Sequence, residues 1–223
     1  MGRELKIEHL GCLPYAEALE LQEKQVEAVR KGVAGDTLFL LEHPPVITLG
    51  RRADPAHVLI AMPELEAKGV ALHTVTRGGD VTYHGPGQLV GYLICDLAAR
   101  GRTDVSAFLR ALEAGVIEAL ATLGLRAVAR PGYTGVFMAE AAGPRPRKVA
   151  SIGVGLRGWV TYHGFALNVT TCLSHFAAII PCGLLDVEMT SVARELGSAA
   201  ACAAELDASA RAAMAAAFSA RFG

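Results

Sequence analysis

The sequence predicts an α+β fold: a single domain in which helices surround one mixed, mainly antiparallel β-sheet. Three observations carry this. Apolar residues recur near every 3.6 positions in several long segments, the mark of amphipathic helices. Shorter apolar runs bounded by Gly and Pro mark strands. The two kinds of segment intermix without the regular strand–helix alternation of a parallel sheet. The domain spans 1–223, since no repeat, linker or low-complexity boundary divides the 223 residues. With 52% hydrophobic and 19% charged residues, the chain is not a disordered one.

The elements follow in order. Residues 14–33 read as a helix, because Tyr15, Ala18, Leu19, Gln22, Val26, Val29 and Val33 form one stripe. Residues 37–41 and 46–49 are short strands separated by the Pro44-Pro45 break. Residues 53–72 are irregular apart from a short helix over 63–68. A strand over 72–76 leads into the glycine-rich block 77–88, and a long apolar strand covers 89–97. Residues 104–123 are the clearest helix, with Thr103 or Asp104 as its cap and Gly124 at its end. After Leu125 the chain becomes strand-like. Strands over 148–156 and 159–169 make a hairpin around Arg157-Gly158. Short helices over 173–180 and 190–196 and an Ala-rich helix over 206–222 complete the chain.

Charge excludes some function classes. Twenty-one Lys and Arg against 22 Asp and Glu give a net charge of -1, without the basic surplus that nucleic acid binding needs. No run approaches 18 apolar residues, so no membrane span is expected. The first eleven residues hold no apolar signal core, which points to the cytoplasm. Five cysteines without paired spacing are expected to be free thiols there. Cys12, Cys95, Cys172 and Cys202 are expected to be small buried hydrophobes.

Four segments carry candidate chemistry. Arg77-Gly-Gly-Asp-Val-Thr-Tyr-His-Gly-Pro-Gly-Gln88 combines backbone freedom with hydrogen-bonding side chains, the makings of a ligand-binding loop or of a tight surface turn. It matches neither nucleotide-binding glycine signature. Arg145-Pro-Arg-Lys148 is a basic turn, solvated at Arg145 and Arg147, whose Lys148 stands at a strand entrance and can face inward. Cys182, between Pro181 and Gly183, sits in a rigid turn and is either a nucleophile or a buried hydrophobe. His163 and Asn168 flank an apolar strand as site residues or as satisfied structural ones. The remaining histidines lack metal-ligand spacing.

Five ordered blocks, Glu42-His-Pro-Pro-Val-Ile-Thr-Leu-Gly50, the block 77–88, Lys148-Val-Ala-Ser-Ile-Gly153, His163-Gly-Phe-Ala-Leu-Asn168 and Pro181-Cys-Gly183, resemble the lipoyl(octanoyl) transferase family of lipoate biosynthesis. The resemblance implies the fold of the biotin and lipoate protein ligases. It implies transfer of an octanoyl group from octanoyl-acyl carrier protein to a lysine of a lipoyl domain. The implied acceptors are 2-oxoacid dehydrogenase E2 subunits and the glycine cleavage H protein. No cofactor or metal is implied. Cys182 would be the acyl-thioester nucleophile and Lys148 its activating partner. Arg77, Gly78, Gly79, Asp80, Val81, Thr82, Tyr83 and His84 would line the acyl site with Ser151, Ile152, Gly153, Gly164, Phe165 and Ala166. His163 and Asn168 would support it. Arg51, Arg52, Arg145 and Arg147 are the expected docking patch for an acidic carrier. The rivals are an ATP-dependent lipoate or biotin ligase, which needs no cysteine, a non-catalytic carrier-binding module, and a cysteine hydrolase.

Overall fold

The computed structural model describes residues 4–139, 143–197 and 203–223. Its larger sheet is built around β2 (Thr37–Glu42), β6 (Gln88–Ile94), β10 (Val160–Asn168) and β9 (Arg147–Arg157). These pair antiparallel in that order. β1 (Lys6–Cys12) joins β2 in parallel, while β8 (Val136–Met138) and β7 (Ala127–Val128) extend the β9 side. β11 (Glu188–Met189) pairs in parallel with the start of β9. The sheet is therefore mixed, as expected.

Strand period 2 sorts its side chains. Leu38 and Leu40 face one side with Leu89, Leu93 and Phe165, under α3 (Val105–Thr122) and α5 (Ala203–Phe222). Phe39 and Leu41 face the other with Val90, Tyr92 and Ala166, under α1 (Tyr15–Arg30). Both faces are covered, which is why these strands are apolar throughout rather than alternating. Asp104 caps α3 by accepting from the Ala107 amide, and Ser191 caps α4 (Val192–Leu196) by accepting from Arg194.

A second, three-stranded sheet holds β4 (Ala71–Thr74), β3 (Val46–Leu49) and β5 (Val81–His84), in that order. Its outer face packs Ile47, Val81 and Tyr83 against Leu65 of α2 (Met62–Ala67) and against Phe176 and Ile179. The expected helix over 173–180 is a 3₁₀ segment over Leu173–Ala178.

Several expectations need correction. β1 was not expected, because Lys6, Glu8 and His9 make it polar. An edge strand covered on part of its surface tolerates that, and only Ile7 and Leu10 join the cores. β5 lies inside the glycine-rich block, which leaves residues 77–80 as loop and 85–87 as a turn. The hairpin turn is Gly158-Trp159, with φ of 57° and 63°, because Arg157 still pairs with Val160. Cys12 and Cys172 are exposed, and Cys95 is buried; Cys202 lies outside the described residues. No helix among the described residues is long and apolar enough to cross a membrane.

Candidate functional site

A cleft of about 430 Å³ opens where the inner face of β5 looks across at the α1 face of the large sheet. That volume falls in the usual range for a small-ligand pocket. β5 contributes Thr82 and His84, and its alternation turns Val81 and Tyr83 away into the core behind. Val81 and Tyr83, expected at the acyl site, therefore do not line it. Gly78 does not either. Its amide donates to the Val154 carbonyl and fastens the loop to β9. Arg77, Gly79 and Asp80 of the same block do reach the cleft. So do Ser151, Ile152 and Gly153 of β9 and Gly164, Phe165 and Ala166 of β10.

Cys182 and Lys148, 34 residues apart, meet in this cleft. Lys148 Nζ donates to Cys182 Sγ at 3.4 Å and to the Thr134 carbonyl at 2.9 Å. Ser151 Oγ stands 3.9 Å from the same sulfur. Lys148 is only 1% exposed, so its amine is held in a seat. Three groups make that seat. The Thr134 carbonyl accepts from the ammonium, the Phe137 ring lies 5.6 Å from it, and Gly135 leaves the space. A Cβ on Gly135 would stand 2.7 Å from Lys148 Cε and 2.6 Å from the Ala150 oxygen. Gly135 also has a φ of +123°, which disfavours any side chain. Glu113 of α3 fixes the position by accepting from the Gly135 amide at 2.9 Å.

Cys182 sits in the left-handed region, with a φ of 57°. Among the described residues only Trp159 and His163 share that feature outside glycine. Two of these three non-glycine residues line the cleft, and such backbone strain gathers where structure serves a site. Gly183 follows because a Cβ there would lie 2.6 Å from Asp80 Oδ2. The close approach of Asp80 thus needs glycine next to the cysteine.

The deep end of the cleft is polar. Arg77 is 8% exposed and donates through Nη2 to the Thr48 carbonyl at 2.7 Å and through the same atom to Thr48 Oγ1. Burial lowers its pKa, opposed by attraction to Tyr15, Cys182, Tyr92 and Asp80. Among the described residues it makes no ion pair, so it supplies positive potential to the site. Burial pushes His84 and His163 each down to about 3, so both imidazoles are neutral. His163 was read as a site residue or a satisfied structural one. It is 2% exposed, and neither of its ring nitrogens has a partner among the described residues. Asn168 stands behind the cleft, accepting from Gln88 Nε2 at 2.9 Å and donating to the Thr190 carbonyl. Gln88 Oε1 in turn accepts from His84 Nδ1 at 2.7 Å.

Against this geometry, the family model for the lipoyl protein ligase A/B catalytic domain matches residues 14–215. An octanoyltransferase of Solibacter usitatus is 50% identical over 182 residues, covering 82% of this chain and 80% of that one. The chain belongs to the octanoyltransferases of the lipoyl protein ligase A/B family. An octanoyltransferase of Chloroflexus aurantiacus is 47% identical over 202 residues, covering 90% of this chain and 88% of its own. Among solved structures, the bipartite lipoate protein ligase of Thermoplasma acidophilum superposes with a TM-score of 0.72 at 19% identity. It covers 98% of this chain and 84% of that one, and shows the shared fold. An octanoyltransferase is an acyltransferase, so the chain is an enzyme of that class.

The cleft contains residues that sequence reasoning passed over. Tyr15, the first residue of α1, and Tyr92 line the cleft, and His57 stands at its mouth beside Asp80. Nothing local in the sequence marks Tyr15, Tyr92 or His57. The expected docking patch loses Arg147, which is not solvated. Its Nη1 bonds both carboxylate oxygens of Glu195, at 2.6 and 2.5 Å, because β9 carries it under α4. Arg51, Arg52 and Arg145 are exposed, and Arg52 borders the cleft.

Proposed function

We propose that this octanoyltransferase moves an octanoyl group from acyl carrier protein to a lysine of a lipoyl domain, through a thioester on Cys182. The observation that carries the proposal is the 3.4 Å approach of Lys148 Nζ to Cys182 Sγ inside the cleft. The ammonium favours the thiolate by opposite charge, and the thiolate is the nucleophilic form. Buried Arg77 adds a second positive charge to the same region.

In the first half-reaction the sulfur attacks the carbonyl of the donor thioester. The bond to the carrier's sulfur breaks, and Lys148 returns a proton to that leaving thiolate. One thioester is exchanged for another at small cost in free energy. Lys148 is then neutral and bonded to Thr134. In the second half-reaction the acceptor amine attacks the acyl-enzyme, Lys148 takes a proton, and the thiolate is restored. Thioester to amide runs downhill, so the cycle needs no ATP.

Val90, Ile152, Ala166 and Leu184 offer apolar walls to the acyl tail. At about 0.8 kcal/mol per buried CH₂, an eight-carbon chain gains several kcal/mol of binding there. The exposed Arg51, Arg52 and Arg145 supply positive charge for acidic protein partners, and Arg52 borders the cleft.

The test is transfer in a mixture of enzyme, octanoyl-acyl carrier protein and a lipoyl domain. Octanoylated lipoyl domain is expected without ATP. Product only from free octanoate with ATP would instead make the chain a ligase.

A further inference from the structure

We infer that His57, oriented by Asp80, is a second base that removes a proton from the incoming lysine ammonium in the acyl-enzyme step. The inference rests on the thioester reading above and extends it.

It starts from a proton count. A lysine side chain, with a reference pKa of about 10.4, arrives at neutral pH as an ammonium carrying three protons on nitrogen. The amide nitrogen of the product carries one. Two protons must therefore leave the acceptor, one before nitrogen can attack and one as the tetrahedral adduct collapses. Lys148 gave one proton to the carrier's thiolate in the first half-reaction, so it has room for one. The other needs a different base at the place where the acceptor enters.

His57 is placed to be that base. It borders the cleft, and its ring carbon Cε1 lies 3.2 Å from where a Cβ of Gly183, the neighbour of Cys182, would be. Its backbone carbonyl accepts from the Ile180 amide at 2.8 Å, and Val58 bridges to Ile179, so the same short segment carries the histidine and steadies the nucleophile's turn. Its Nδ1 is 2.5 Å from Asp80 Oδ2. An ionised carboxylate only accepts hydrogen bonds, so Nδ1 donates to it. The lone pair of the neutral ring is then on Nε2, which bonds nothing among the described residues, on a side chain 26% exposed. Asp80 is itself held, because its Oδ1 accepts from the Asp54 amide at 3.0 Å. Imidazole is the side chain that takes up and releases protons near neutral pH, and a carboxylate on the far nitrogen fixes its tautomer. The cleft also carries the charged or reactive groups Arg52, Arg77, Lys148 and Cys182.

The step balances. Nε2 takes one proton from the ammonium, and the freed amine attacks the thioester carbonyl. The second proton goes to Lys148 as the carbon–sulfur bond breaks, and Cys182 leaves as thiolate. His57 then gives its proton to water through its exposed edge. His57 is thus a catalytic residue of the second half-reaction alone, and Asp80 is a positioning residue.

The test separates the half-reactions in His57→Gln. Acyl-enzyme is formed with octanoyl-acyl carrier protein, then discharged either by a lipoyl domain or by hydroxylamine. Hydroxylamine is neutral near pH 7 and has one proton fewer to lose. Discharge by the lipoyl domain should slow by about 10²-fold, the ordinary size of a general-base contribution. Acylation and hydroxylamine discharge should stay within about threefold of the parent. Asp80→Asn, which keeps the size and removes the charge, should show the same selectivity with a smaller loss. Equal slowing with both nucleophiles, or slowed acylation, would mean the pair only braces the Cys182 turn and would overturn the inference. So would unchanged discharge by the lipoyl domain. Absence of any thioester on the parent would instead overturn the underlying mechanism.

Discussion

Replacing Gly135 with alanine disturbs the proposed activating lysine without touching Lys148 or Cys182. The new Cβ would stand 2.7 Å from Lys148 Cε, 3.2 Å from its Nζ and 2.6 Å from the Ala150 carbonyl oxygen. The last contact is with backbone inside β9, which cannot retreat cheaply, so the strain falls on residues 134–136 and on the lysine. A non-glycine residue at a φ of +123° adds about 1–3 kcal/mol of backbone strain. For a protein of this size each kcal/mol lowers Tm by about 2–4 °C, so a fall of roughly 2–12 °C is expected before the clash is counted. The effect on chemistry should be larger. Moving a positioned group by about 1 Å costs on the order of 10²-fold in rate. The assay is single-turnover formation of acyl-enzyme, measured well below the variant's own Tm, beside a thermal melt. A variant that melts lower yet acylates Cys182 at the parental rate would show that the close fit around Lys148 has no part in activating the sulfur.

Other outcomes follow from the same structure. Lys148→Ala should reduce acyl-enzyme formation far more than donor binding, and equal losses in both would remove its assigned role. His43, His84 and His163 are held to about 4, 3 and 3, chiefly by burial, so they stay neutral in the folded protein. Unfolded histidines take protons below about 6.5, so the unfolded state binds more protons there. Stability should be intact above that pH and fall as pH drops toward 4, by about 1.4 kcal/mol per pH unit for each of the three. Denaturant midpoints flat from pH 7 to 5 would contradict this. Gly91→Ala places a Cβ 2.2 Å from the Phe165 ring, which packs on Phe218 with centroids 5.0 Å apart. Overpacking of this kind costs about 1–3 kcal/mol, to be read by chemical denaturation. Charge reversal at Arg51 and Arg52 should weaken carrier-protein binding and flatten its salt dependence, and an unaltered salt slope would place docking elsewhere.

What the sequence disclosed was mostly local. Val46–Leu49 has the bounds expected of it, because a Pro-Pro break and a glycine flank the short run Val-Ile-Thr-Leu. α3 begins where Asp104 caps it by accepting from the Ala107 amide. β1 was hidden because half its residues are polar, and an edge strand needs little burial. In the glycine-rich block the alternation of Val81 and Tyr83 with Thr82 and His84 was already present, and it sorts core from cleft. It was masked by the surrounding glycines. Arg147 looked solvated because its partner Glu195 is 48 residues away. The pairing of His57 with Asp80, 23 residues apart, leaves no local trace. The same holds for the Thr134 carbonyl that seats Lys148. These contacts join segments distant along the chain, and local spacing does not encode them.

The most direct test of the central claim is intact mass of the protein after brief mixing with octanoyl-acyl carrier protein, followed by a lipoyl domain. The account predicts one octanoyl adduct on the parent, released when the lipoyl domain is added and absent from Cys182→Ser. Steady product formation with no adduct on the parent, or an adduct that persists in Cys182→Ser, would contradict it.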